Sequence, residues 1–92
     1  MSHIYGLRKF KLALNHLVAA GDIHSRLRAA IYQELIHLSV DDVPQALQSD
    51  LEALKEKFYA QRDLIEGMSE IEAEHTAENI VQMFSAWIDS TR

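Results

Sequence analysis

Cysteine is absent from the 92 residues. Disulfides, thiolate metal sites and cysteine nucleophiles go with it, and the expected compartment is a reducing one, the cytoplasm. Proline occurs once and glycine three times. With few β-branched residues beside many Leu, Ala, Glu, Gln and Lys, little material is left for strands and tight turns. No apolar run approaches the roughly 20 residues of a membrane span. "RKFK" followed by "LALNHLVAAG" imitates a secretory leader, but Asn15 and His16 interrupt its apolar stretch, and a helix showing its polar face accounts for them better. Gly-rich phosphate loops, a nucleophile elbow and Cys/His clusters are missing too, so no cofactor and no catalytic constellation is implied.

Acids are nearly missing from the first third. Residues 1–33 carry Arg8, Lys9, Lys11, Arg26 and Arg28 against Asp22 alone, while residues 34–92 carry four bases and thirteen acids, for a net charge of −5. The asymmetry fits either a basic binding face or two halves that attract one another, and the second needs fewer assumptions.

What is present is helical periodicity. The expected fold class is all-α: one helical domain, a compact bundle of about four helices, mostly antiparallel neighbours, over residues 4–20, 23–38, 42–66 and 70–89. Leu7, Phe10, Leu14, Leu17 and Val18 form the first stripe, which Gly21 closes and Asp22 follows as the next N-cap. Ile23, Leu27, Ile31, Leu35 and Leu38 form the second. In "SVDDVP", Ser39, Asp41 and Asp42 are capping residues, and Pro44 is tolerated only in a first helical turn. Leu47, Leu51, Leu54, Phe58 and Ile65 give the third helix a coiled-coil-like seam. Near Gly67 it stops, and Ser69 with Glu72 makes a capping box for a fourth helix through Ile80, Val81, Phe84, Trp87 and Ile88.

Two Glu-x-x-His pairs, Glu34/His37 and Glu72/His75, have the spacing with which ferritin-like bundles build a two-metal site. Such ligands must point inward. On a helical wheel His75 falls roughly 170° from the centre of its own stripe, and Glu72 already has a capping role. The two pairs should also lie at opposite ends of the bundle, separated by about 20 helical residues, or about 30 Å. No metal site is therefore expected. Glu34 remains: it occupies an apolar position between Ile31 and Leu38, where a carboxylate is costly unless paired. A partner Arg or Lys from the first helix, or a place at the open end of the bundle, is expected. Otherwise Glu34 with His37, His24 or His16 is where a buried polar site would be sought.

Two further constellations offer alternatives. Glu66, Glu70, Glu74 and Glu78 recur every four residues as an acidic ridge. All-α nucleotide pyrophosphohydrolases hold Mg²⁺ with helical carboxylates at similar spacings, which admits a metal-dependent helical-bundle enzyme. A solvated face favourable to the helix dipole explains the same residues. Helices 1 and 2, with Ser25, Arg26 and Arg28 at the start of the second, imitate a helix-turn-helix and admit a DNA-binding regulator. His24 stands where such motifs bury an apolar residue, and the net negative charge opposes phosphate attraction.

The preferred reading is a small, non-catalytic protein-interaction or accessory subunit, binding a protein partner or a second copy of itself, without nucleic acid or membrane. Leu12, Tyr32 and Ile36 fall off their helices' stripes and are expected to form an exposed apolar patch. On the third helix, Asp50, Lys55, Lys57 and Arg62 flank the seam. A parallel self-pair would oppose Lys57 to Arg62, so an antiparallel neighbour, in the same chain or a second copy, suits the charges.

Overall fold

In the computed structural model, which describes residues 3–90, helix α1 spans Ile4–Leu17 and buries Gly6, Phe10, Ala13 and Leu17 along one stripe. The chain then turns through Gly21, whose φ of +118° is one that L side chains rarely adopt. Asp22 caps the next helix by accepting the Ser25 N–H at 2.8 Å. Arg26 closes the corner from the other side, donating to the Leu17 and Gly21 carbonyls at 2.7 and 3.0 Å.

Helix α2, residues 23–37, is not uniform. It is α-helical over Ile23–Arg28, widens to a π-helix over Ala29–Glu34 and tightens to a 3-10 turn over Leu35–His37. The stripe residues Ile31, Leu35 and Leu38 stay fully buried, as a wheel drawn at 3.6 residues per turn has them, but the changed turns bring off-stripe residues inward as well. Ile36, expected on an exposed patch, is instead 5% exposed and belongs to the core. Tyr32 is half-buried: its ring meets Phe58 edge-on at 6.2 Å and its hydroxyl donates to the Phe58 carbonyl at 2.9 Å. Of the three patch residues only Leu12 is exposed. The expected Leu12, Tyr32 and Ile36 surface is thus corrected: two of its members pack inward.

A 3-10 turn over Val40–Asp42 follows, tied by the Ser39 N–H to Asp42 Oδ2 at 2.9 Å. Helix α3 spans Gln45–Ala60 with Pro44 at its N-cap. It ends before the expected residue 66: the backbone leaves helical geometry at Gln61, with φ −134° and ψ 92°, while the Tyr32 hydroxyl donates to the Phe58 carbonyl in the last turn. Residues 61–69 run through consecutive turns that let Ile65 reach the core, fully buried. Helix α4, Glu70–Ser90, opens on the expected capping box: the Ser69 N–H donates to Glu72 Oε1 at 2.8 Å and the Glu72 N–H to Ser69 Oγ at 3.1 Å.

The result is an all-α bundle of four helices with no strand among the described residues. Helix α4 touches each of the other three, and α1 lies along α2. One apolar cluster joins them through Phe10, Leu27, Ile31, Leu51, Phe58, Ile80 and Trp87. Phe10 meets Trp87 edge-on at 5.7 Å. Gly6 sits where a Cβ would come within 2.0 Å of the Asp42 carbonyl oxygen, so a glycine lets α1 rest directly on the Val40–Asp42 turn. The radius of gyration is 12.6 Å, close to the roughly 12 Å expected of a compact chain this long. None of the described helices is long and apolar enough to cross a membrane.

Candidate functional site

Glu34 lies at the junction of the π and 3-10 segments of α2, 8% exposed. Lys9 and His16, seven residues apart and so two turns along α1, each take one of its oxygens: Lys9 Nζ reaches Oε1 at 3.2 Å and His16 Nε2 reaches Oε2 at 2.9 Å. A carboxylate only accepts, so His16 carries its proton on Nε2. Burial pushes the Glu34 carboxyl upward, but the hydrogen bonds and charges of His16 and Lys9 outweigh it and hold the carboxyl below its ordinary value. His37, one turn on, is exposed and does not join this cluster. The expected lysine partner from the first helix is present, and of the three histidines considered beside Glu34 only His16 joins it; the candidate polar site of Glu34 with His37 is corrected accordingly. What Glu34 forms is a clamp between α1 and α2, and the three grooves described below are lined by other residues.

The remaining sequence candidates are dispersed. Glu72 is held in its capping box, which lowers the carboxyl through the Ser69 backbone N–H and hydroxyl. His75 is exposed, on the lip of a groove shared by Val18, Ile23, Glu78 and Val81. Glu66 precedes α4 and pairs with Arg28 at 2.9 Å, so only Glu70, Glu74 and Glu78 share the helix, all exposed. Among the described residues no three His, Asp or Glu side chains converge as metal ligands would.

Three of the five N-terminal bases also have intramolecular partners. Lys9 holds Glu34, Arg26 holds the α1–α2 corner and Arg28 holds Glu66. His24, at the start of the imitated recognition helix, donates to the Met68 carbonyl at 2.7 Å. These contacts tie α2 to α1 and to the turns before α4, at the positions a DNA-reading helix would need free.

The most enclosed of the three grooves lies on the third helix, whose flanking charges the sequence singled out, but its wall from the fourth helix was not foreseen. Between α3 and α4 runs a groove of about 390 Å³. Its floor is Leu54, Phe58 and Met83, while Asp50, Lys57, Asn79 and Gln82 stand on its rim. Ala53 on α3 and Ala86 on α4 are exposed and also line it. Their side chains end at Cβ, which keeps the groove open. Asp50, Ala53, Leu54 and Lys57 fall at i, i+3, i+4 and i+7, one face of a helix. The signal was therefore in the sequence, as a narrow small-and-apolar strip between two opposite charges, but beside the stronger Leu47, Leu51, Phe58 stripe it reads as part of the internal seam. A second, shallower groove runs between the Ser39–Val40 loop and the Glu52, Lys55, Tyr59 side of α3. Lys55 already donates to the Leu38 carbonyl there.

Compared with known proteins, the chain matches no family model, no curated protein and no solved structure.

Proposed function

We propose that this protein is a small interaction subunit whose α3/α4 groove receives an amphipathic helix. The observation that carries the reading is the groove itself: an apolar floor of Leu54, Phe58 and Met83 between polar lips, the form in which helix-in-groove recognition is built. Its two charged groups, Asp50 and Lys57, stand at the rim rather than facing each other across the floor, so shape and apolar contact are what it offers. The lack of cysteine favours a reducing compartment, and we place the protein in the cytoplasm.

Site-specific photocrosslinking in intact cells tests the reading. A photoreactive residue at Ala53 or Ala86 is expected to give a discrete protein adduct, identified by mass spectrometry, while the same residue at Glu52 or Ser85, outside the groove, gives none. Adducts that form equally at all four positions, or at none, would contradict it.

A further inference from the structure

We infer that the helix received by the groove is α3 of a second copy, docked antiparallel so that Asp50 of each protomer meets Lys57 of the other. This deepens the groove reading and rests on it.

The argument begins with the charge order along one helix face. Asp50 and Lys57 bracket Ala53 and Leu54 on the groove side of α3, about 10 Å apart along the axis at 1.5 Å per residue. A two-fold axis passing between Ala53 and Leu54 maps position 50 onto 57 and 57 onto 50. Each acid then faces a base, twice per dimer, which is the self-complementarity an isologous interface requires. A parallel pair would set Asp50 against Asp50 and Lys57 against Lys57, and like charges oppose it.

Neither charge is used up inside the protomer. Asp50 has no hydrogen bond or ion pair among the described residues; Lys57 makes no ion pair there either, though it lies over the ring of Phe58 at 5.7 Å and its charge helps to lower the Glu72 carboxyl. The helix dipole helps to account for Lys57, in the last turn of α3, but not for Asp50, which lies beyond the first turn. Ala53 at the two-fold position lets the helix backbones approach to the short end of the usual 8–10 Å interaxial range. The opposite wall, Thr76, Asn79 and Gln82 on α4, is polar but uncharged, and Glu72, one turn before Thr76, acts on Lys57 at longer range than an ion pair. The register is thus set by one acid and one base on α3.

The test is sedimentation equilibrium of the full chain over a dilution series, with circular dichroism as a check of folding. Wild type should dimerise. Asp50→Lys and Lys57→Asp should each weaken dimerisation about tenfold or more, since each turns two attractions into two repulsions. The double variant Asp50→Lys/Lys57→Asp should recover wild-type affinity to within about threefold, and the two single variants, mixed, should associate with one another. Ala53→Arg, at the exposed two-fold position, should leave a folded monomer. A wild type that stays monomeric at high micromolar concentration overturns the proposal. So does a dimer unmoved by the charge reversals and by Ala53→Arg, because it must then use another face. Either result leaves the groove reading to its own measurement: a crosslink from Ala53 to a different protein would uphold the groove and reject self-pairing, whereas loss of any groove-specific crosslink would reject the groove as well.

Discussion

At the scale of single residues, Glu34 and Gly6 have the most to explain. Glu34 is a carboxylate inside the bundle with both oxygens occupied, and removing it strands Lys9 and His16, whose side chains are only 21% and 30% exposed. Glu34→Ala is expected to cost about 1–3 kcal/mol in urea denaturation, and an apolar residue of similar length, Glu34→Met, less. The acid response has a definite sign. Because the folded carboxyl is held below its ordinary value of 4.5, its stabilisation is full above that value. It is lost as pH falls below 4.5 through the lower folded value, where the unfolded chain takes up the proton first. Thermal unfolding of Glu34→Gln should therefore depend less on pH than wild type in that acidic window and show no difference in slope near neutrality. Gly6 makes a different demand: Gly6→Ala would set a methyl group 2.0 Å from the Asp42 carbonyl, and a loss of about 1–3 kcal/mol by the same measurement is expected as α1 is forced off the turn. That Glu34 needed a partner was legible, because a charged residue interrupts an apolar stripe. The close approach at Gly6 was not, since in the sequence a glycine inside a helix registers only as a weakened helix.

At the scale of elements, the stripes located four helices because each buries one face, and the caps at Asp22 and Ser69 were readable from residue type and spacing alone. Helix α2 departs from its stripe for a reason that periodicity does not carry. Its π and 3-10 turns change the angle per residue, so Ile36 turns inward and Tyr32 reaches α3. The Tyr32 hydroxyl in turn ties α2 to the last turn of α3 by donating to the Phe58 carbonyl. Tyr32→Phe keeps the ring and frees that carbonyl. It is expected to cost about 1 kcal/mol, with faster amide exchange confined to residues around 58–62. Ile36→Asp places a charge in the core and should unfold the domain rather than merely change its assembly, which circular dichroism would show at once. A folded Ile36→Asp variant would restore the exposed position that the 3.6-residue wheel assigns.

At the scale of the whole molecule, the uneven charge of the sequence is partly satisfied inside the fold. Lys9 and Arg28, from the basic third, pair with Glu34 and Glu66 from the acidic remainder. Arg8, Lys11 and Arg26 pair with no acid among the described residues, and the Arg28–Glu66 pair, on the surface, contributes little to stability. What the folded chain presents is the α3/α4 groove, with Asp50 and Lys57 on one lip. The charge pattern from which antiparallel self-pairing is proposed was legible on the third helix. The face that expresses it was not, because a strip consisting of Ala53 and Leu54 is too short and too small to compete with the core stripe in any periodicity. The central claim is that two copies of the chain meet in this groove, and backbone amide chemical shifts of the wild-type chain across a dilution series test it most directly. The account predicts concentration-dependent shifts concentrated at residues 50–57 and 76–86, fading together with one dissociation constant; shifts that do not change with concentration, or that centre on the Val18 and Val81 surface instead, would contradict it.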